Sequence, residues 1–115
     1  MSVEIYHNPR CSKSRQTLQL LQDKGLDPEV VEYLKTPPDK ATLTHILDLL
    51  ELEPRGLMRK KEKEYEALQL GNPALSREQL IEAMTVHPKL IERPIVIKNG
   101  KAAIGRPPEK VMEIL

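Results

Sequence analysis

The part of this chain that constrains the fold most is a strand, a turn and a helix in direct succession near its start. Val3–Tyr6 alternates apolar and polar residues, which is typical of a half-buried strand, and Asn8-Pro9 is a turn signal. A helix is predicted over Ser12–Lys24, because Gly25 is a typical residue to follow a helix end. The chain therefore opens like a β-α-β unit.

The only cysteine of the chain, Cys11, falls at the predicted start of this helix. Unpaired backbone N–H groups and the helix dipole favour negative charge there. Four residues that carry or can carry positive charge lie within four positions of it: His7, Arg10, Lys13 and Arg15. Because both features lower the pKa of a thiol, we interpret Cys11 as a reactive thiolate beside N–H groups that can hold an oxyanion. The alternative is a small buried hydrophobic residue, which the polar flanks disfavour.

Composition narrows the class of protein. The chain of 115 residues suffices for one domain with a modest core, in which 39% hydrophobic residues include no Trp or Phe. A net charge of +1 argues against a general nucleic-acid or membrane-surface binder. A single cysteine excludes an internal disulfide and a cysteine-type zinc site. The start of the chain has no apolar run of signal-peptide length, and no stretch approaches a membrane span, so we expect a cytoplasmic protein.

The next segments predict a parallel strand followed by a long helical stretch. Glu29–Tyr33 is predicted to be a second short strand, parallel to the first. Asp39 is a candidate N-cap, and Ser76 and Gln79 have the spacing of a capping box. We interpret residues 39–90 as an all-helical insertion that packs against the sheet, not as a separate domain.

Strand character returns near the end of the chain. Pro94–Lys98 and Lys101–Ile104 are predicted strands, and Asn99-Gly100 between them is a strong hairpin signal. A final helix is expected after Pro107-Pro108, because proline fits a first helical turn. The end of the chain is therefore predicted to form a β-β-α unit.

The predicted fold class is α/β, with a β-α-β / β-β-α mixed sheet and an all-helical insertion at about 39–90. With a cysteine opening the first helix and a proline leading the third strand, this order resembles the thioredoxin-like fold. We expect a single domain over 1–115, whose thioredoxin-like core is formed by 1–38 and 91–115.

Short motifs extend the resemblance to the ArsC family, the arsenate reductases that use glutathione and glutaredoxin. The matching motifs are Ile5-Tyr6-His7-Asn8-Pro9-x-Cys11, Tyr33-Leu34, Arg59-Lys60 before Tyr65-Glu66, His87-Pro88, Arg93-Pro94-Ile95-Val96 and Arg106-Pro107. Together and in order they cover nearly the whole chain. Plasmid-type members carry Gly-Thr where this chain has Ser12-Lys13, so its Cys-Ser-Lys-Ser segment resembles a chromosomal subgroup of the family.

The resemblance implies roles for six residues. Cys11 is the catalytic cysteine. The oxyanion-binding arginines are Arg59, Arg93 and Arg106, and the supporting residues are His7 and Ser14. The Arg93-Pro94 peptide bond is implied to be cis, which is uncommon for an X-Pro bond.

From the residues alone, other roles stay open for five of the six. His7 either lowers the pKa of the thiol or hydrogen-bonds to the turn. Ser14 either donates to the thiolate or faces the first helical turn. Arg59 lies in a basic run that also suits a solvated surface. Arg93 and Arg106 each precede a proline at an element boundary, where capping or surface pairing is equally compatible.

The function that the resemblance implies is reduction of arsenate to arsenite through a Cys11–arsenate adduct. Glutathione as co-substrate and glutaredoxin would resolve the adduct, and a single cysteine fits this scheme because the other thiols come from outside. We expect no bound cofactor, no metal and a monomer. One alternative is a glutathione-dependent thiol reductase with another substrate. The other is a regulator resembling Spx, which binds RNA polymerase; Spx-type proteins commonly carry Cys-x-x-Cys, which this chain lacks.

Overall fold

The structure, a computed structural model, describes residues 3–115, so the first two residues of the predicted domain lie outside it. The described chain forms two compact units, one of residues 3–36 with Arg93–Leu115 and the other of Pro37–Glu92. These boundaries lie close to those expected for the core and the insertion. That the two units make one domain stays a prediction.

The first unit is a four-stranded mixed sheet with one α-helix. β1 (Val3–Tyr6) leads into α1 (Ser12–Asp23) and pairs in parallel with β2 (Glu29–Val31). β1 also pairs antiparallel with β3 (Ile95–Lys98), which pairs antiparallel with β4 (Lys101–Ile104). The strand order is β2-β1-β3-β4, which confirms the predicted α/β class with a parallel β-α-β unit and an antiparallel hairpin.

The core of the first unit lies on one face of this sheet. Ile5 of β1 is opposite Val96 of β3, so the two side chains lie on the same face. Leu21 of α1 and Val111 pack into the same buried cluster. Val111 belongs to the segment Pro108–Ile114, so the expected final helix is present, but as a 3-10 helix.

The turn residues determine the β3–β4 hairpin, whereas the pairing of β2 with β1 determines where β2 ends. Asn99 (φ 53°) and Gly100 (φ 72°) both adopt the left-handed backbone that a tight two-residue hairpin turn requires. The second strand was expected to reach Tyr33 but ends at Val31. The reason is that Val31 already pairs with Tyr6, the last residue of β1, so no partner remains for the residues that follow.

The second unit is mainly helical. α2 (Lys40–Leu50) and α4 (Arg77–Val86) contact each other, and α3 (Lys63–Ala67) lies between them in the chain. Two short 3-10 helices, Pro54–Leu57 and Pro88–Leu90, complete the set. The two longer helices each bury one face. The residues on those faces are Leu43, Ile46, Leu47, Leu80, Ile81 and Met84.

Both N-caps that the sequence predicts in this unit are confirmed. The Asp39 carboxylate accepts a hydrogen bond from the Thr42 N–H at 2.8 Å. Ser76 and Gln79 form a reciprocal capping box, with distances of 3.2 and 2.8 Å. Each side chain satisfies an N–H group that the start of a helix would otherwise leave unpaired.

The expectation that residues 39–90 are all helical does not hold throughout, and two interruptions stand out. Residues 68–75 form turns, where Gly71-Asn72-Pro73 interrupts helical structure. Met58 and Ile91 form an isolated antiparallel β-bridge. Within residues 3–115, no helix is both long enough and apolar enough to cross a membrane.

Candidate active site

The loop between β1 and α1 delivers the cysteine to the start of the helix. Cys11 is the N-cap residue of α1, with extended backbone angles (φ −94°, ψ 123°). Its N–H donates to the Asn8 carbonyl at 3.0 Å, and its own carbonyl accepts from the Arg15 N–H at 3.0 Å. The predicted place of Cys11 at a helix N-terminus is therefore confirmed, and 9% of the residue is exposed.

The surroundings of the Cys11 sulfur favour its ionised form. Burial raises the pKa of the Cys11 thiol, but the backbone N–H of Ser14, the Arg93 guanidinium and the backbone N–H of Lys13 together lower it by more. The pKa of Cys11 is therefore below the ordinary value for a thiol, because these donors and this positive charge stabilise the thiolate.

Two arginines at one end of the β3–β4 hairpin lie near this sulfur. Arg93 comes just before β3 and Arg106 just after β4, so the antiparallel pairing brings both to the same end. Arg106 Nη2 lies 3.6 Å from Cys11 Sγ, and Arg106 Nε donates to the Arg93 carbonyl at 2.8 Å. Both arginines precede a cis proline, which was expected for Arg93-Pro94 but not for Arg106-Pro107.

Tyr33 lies beside the first of these arginines. Burial lowers the pKa of Arg93, but Cys11 and Tyr33 raise it by more, so Arg93 keeps its positive charge. Tyr33 is fully buried. Its place next to Arg93 was not foreseen, although Tyr33-Leu34 is one of the motifs that carry the family resemblance.

A glycine allows the segment that carries Arg106 to approach α1. A Cβ on Gly105 would lie 2.5 Å from Thr17 Oγ1 and 2.8 Å from Pro94 Cγ, which is closer than real Cβ atoms come to their neighbours. The Gly105 N–H also donates to the Pro94 carbonyl at 2.9 Å. Gly105 therefore packs directly on the helix that begins at the thiol. Sequence reasoning missed it, because nothing in the local pattern distinguishes it from a turn glycine.

The two expected supporting residues bind each other. His7 Nδ1 and Ser14 Oγ are 2.6 Å apart, and Ser14 Oγ also accepts from the Asn8 N–H at 3.0 Å. Burial lowers the pKa of His7, Glu32 opposes this and Arg15 adds to it, so the neutral imidazole is favoured. This arrangement favours the role in which His7 holds the turn through Ser14 over the role of a cation beside the thiol.

The third expected arginine, Arg59, lies in the second unit and is paired with carboxylates. Arg59 Nη1 is 2.7 Å from Glu92 Oε1, and Arg59 Nε is 3.8 Å from Glu62 Oε1. Its backbone N–H donates to the Leu90 carbonyl at 2.7 Å. Glu92 was not a candidate from the sequence, because it is 33 positions away and follows no motif spacing. That Arg59 binds an oxyanion stays a prediction.

Within the first unit, the structure brings together four of the six expected residues around one sulfur, namely Cys11, Ser14, Arg93 and Arg106. Guanidinium groups and helix N–H donors both stabilise a thiolate and bind oxyanions. The part of the chain that the structure describes contains no cluster of His, Cys, Asp or Glu residues that could hold a metal ion.

A mixed sheet whose first helix begins at a cysteine, with a cis proline before the third strand, defines a thioredoxin-like protein. The model of the ArsC family matches residues 6–114, and the chain belongs to this family.

Proteins similar to this chain include named arsenate reductases. The arsenate reductase of Neisseria meningitidis serogroup B is 51% identical over 114 residues, which cover 98% of this chain and 97% of that protein. The solved structure of an arsenate reductase from Vibrio cholerae superposes with a TM-score of 0.98 at 55% identity, covering 100% of this chain and 98% of that one. The Escherichia coli K12 protein YfgD, named only as uncharacterized, is 60% identical over 114 residues, covering 98% and 96% of the two chains.

Proposed function

We propose that this protein is an oxidoreductase that reduces arsenate to arsenite through a covalent Cys11–arsenate adduct. The observation that carries the proposal is the thiol of Cys11, which has a lowered pKa and lies 3.6 Å from the Arg106 guanidinium. The arsenate reductases among its relatives support arsenate as the substrate.

The charges around the thiol suit attack on an oxyanion. Arsenate resembles phosphate, a tetrahedral anion of about −1.5 charge near neutral pH. An anionic sulfur that attacks it meets repulsion, which the planar guanidinium groups of Arg93 and Arg106 offset by gripping its oxygens. In this step the Cys11 sulfur forms a bond to arsenic and an arsenate oxygen leaves as water after taking up protons. Arsenic stays in the +5 state.

Two further thiols complete the reduction. The glutathione thiol adds to arsenic and displaces a second water. A glutaredoxin thiolate then attacks the glutathione sulfur and forms a mixed disulfide, while the electron pair of the broken sulfur–arsenic bond stays on arsenic and reduces it to the +3 state. Hydrolysis of the remaining bond releases arsenite and the Cys11 thiol. The sum converts arsenate and two thiols into arsenite, a disulfide and water.

The other residues have supporting roles in this proposal. On the family resemblance, we assign Arg59 as a third oxyanion-binding guanidinium. His7 and Ser14 hold the turn before α1, which their hydrogen bond of 2.6 Å supports. A monomer in the reducing cytoplasm, where glutathione is available, fits a chain with one cysteine.

The test is arsenate-dependent NADPH oxidation in the presence of glutathione, glutaredoxin and glutathione reductase. Cys11→Ala is expected to reduce the rate to background, because no nucleophile remains. Ser12→Ala is the matched control, since Ser12 is an exposed neighbour of Cys11, and it is expected to keep the wild-type rate.

Two results would contradict the proposal. Arsenate-dependent turnover by Cys11→Ala would exclude a covalent role for the thiol. Equal NADPH oxidation by the wild-type protein with and without arsenate would instead support the thiol reductase with another substrate.

A further inference from the structure

Asn8 is a buried polar residue at the start of the loop Asn8–Cys11. The proposed mechanism gives this residue no role. Only 8% of it is exposed. Its side-chain Oδ1 accepts a hydrogen bond from the Arg10 N–H at 3.0 Å. Its backbone carbonyl accepts from the Cys11 N–H at 3.0 Å, and its backbone N–H donates to Ser14 Oγ at 3.0 Å. One residue thus binds the middle of the loop, its end and the first turn of α1.

These bonds fix the path of the chain from β1 to the thiol. The bond from Oδ1 to the Arg10 N–H closes an Asx turn, in which a side chain imitates a backbone turn. The bond between the Asn8 carbonyl and the Cys11 N–H closes a β-turn over the same residues, and Pro9 at its second position presets φ. The side chain of Asn8 therefore holds residues 8–10 and its main chain holds residues 8–11, so the two turns overlap.

The position of the sulfur depends on this loop because the loop sets the backbone of Cys11. That backbone is held by the Asn8 carbonyl before it and by the Arg15 N–H after it. If the loop changes conformation, the sulfur moves away from the Ser14 N–H and from the Arg106 guanidinium, which lies 3.6 Å from it.

We propose that Asn8 is a positioning residue, whose side-chain amide holds the loop Asn8–Cys11 so that the sulfur faces the first turn of α1 and the Arg106 guanidinium. The part of this inference that concerns turnover rests on the proposed function. The part that concerns the thiol does not, because it can be measured without arsenate.

The second unit contains a matched Asx turn that has no thiol. Asn72 Oδ1 accepts from the Ala74 N–H at 2.9 Å, two positions along the chain, as Asn8 Oδ1 does from Arg10. If Asn8 served only the stability of its turn, Asn8→Ala and Asn72→Ala would both lower stability and neither would change the reactivity of Cys11. A positioning role predicts that the two substitutions differ.

The experiment measures alkylation of Cys11 by iodoacetamide against pH, together with kcat and KM for arsenate. Folding is checked by circular dichroism. Asn8→Ala is expected to slow alkylation at pH 7 by about threefold to tenfold, because less of the thiol is ionised. It is also expected to lower kcat by about tenfold to a hundredfold with a smaller change in KM, since the nucleophile is displaced while the arginines remain.

Two further variants separate positioning from a general loss of structure. Asn8→Ser is expected to give an intermediate alkylation rate, because a hydroxyl closes the same turn more weakly. Asn72→Ala is expected to keep the wild-type alkylation rate and kcat. Slower alkylation in Asn8→Ala, partly restored in Asn8→Ser, supports the proposal.

A folded Asn8→Ala variant with the wild-type alkylation profile would overturn the proposal. If Asn8→Ala does not fold, the alkylation profile of Asn8→Ser takes its place as the test. A wild-type profile in Asn8→Ser would then overturn the proposal. Altered alkylation without any arsenate-dependent turnover in the wild-type protein would sink the proposed function and leave the positioning role of Asn8 standing.

Discussion

The N-cap residues of the three longest helices, α1, α2 and α4, differ between the two units. In the second unit, Asp39 and Ser76 cap α2 and α4 with side-chain hydrogen bonds. In the first unit, the N-cap residue of α1 is Cys11, which has a sulfur in place of a capping oxygen. The N–H groups of Lys13 and Ser14 instead lower the pKa of its thiol. The capped N-termini of α2 and α4 contribute to stability, whereas the N-terminus of α1 stabilises a thiolate.

The arginines show the same contrast. In the first unit, Arg106 directs a guanidinium N–H at a sulfur 3.6 Å away. In the second unit, Arg59 directs one at the Glu92 carboxylate, 2.7 Å away, and it also lies near Glu62. The same residue type therefore faces a sulfur in the first unit and carboxylates in the second.

Substitution of Arg106 tests the first unit and is expected to have the largest effect. Arg106→Lys should lower kcat/KM for arsenate by about a hundredfold, because lysine lacks the planar fork that grips two oxygens. The companion variant Arg93→Lys should raise the pKa of Cys11 in an alkylation profile, because the guanidinium that lowers that pKa by a hydrogen bond and by its charge is replaced. The control is Arg10→Lys, since Arg10 is exposed and adjacent to Cys11. Wild-type arsenate kinetics in Arg106→Lys would show that this arginine does not act in the site.

Substitution of Arg59 sharpens the comparison with a smaller effect. Arg59→Lys is expected to lower kcat/KM by about tenfold, mainly through KM, while the alkylation profile of Cys11 keeps its wild-type midpoint. The matched control is Arg77→Lys, because Arg77 pairs with Asp48 at 3.6 Å in an exposed salt bridge of little energetic weight. A shifted alkylation midpoint in Arg59→Lys would contradict the contrast between the arginines of the two units. Unchanged arsenate kinetics would show that Arg59 does not bind substrate.

Substitution of the N-cap residues is expected to have the smallest effect. It should change the free energy of unfolding in opposite directions in the two units. Ser76→Ala should lower the free energy of unfolding by about 1 kcal/mol, because it removes a capping box. At a pH below the pKa of Cys11, where the wild-type thiol is neutral and no thiolate stabilisation is lost, Cys11→Ser should raise it by up to about 1 kcal/mol, because a serine hydroxyl at the N-cap can accept from the Ser14 N–H. Urea denaturation measures both, with Ser12→Ala as a control near zero. A loss of stability in Cys11→Ser as large as that in Ser76→Ala would contradict the contrast.

Features that depend on a few adjacent residues were predictable from the sequence. The Ser76–Gln79 capping box, the Asn99-Gly100 turn and the place of Cys11 at a helix start are all present. The end of β2 was not predictable from local pattern, because it depends on where β1 ends in the paired register. Strand propensity alone extends β2 to Tyr33.

The site was predictable in its residue types but not in its contacts. The family motifs point to Arg93 and Arg106, and the structure places both by Cys11. The pairing of Arg59 with Glu92 joins residues 33 positions apart, so no short motif could reveal it. The hydrogen bonds of Asn8 were likewise hidden, because Asn8-Pro9 looks like any turn in sequence.

The most direct test of the central claim is the pH dependence of Cys11 alkylation in the wild-type protein without substrate. An ordinary cysteine ionises near pH 8.5, so its alkylation rate is still rising at neutral pH. Because the pKa of Cys11 is lowered, its rate should level off at a lower pH than that of an unperturbed thiol such as free cysteine. A midpoint at or above that of free cysteine would show that the groups around the sulfur do not stabilise a thiolate.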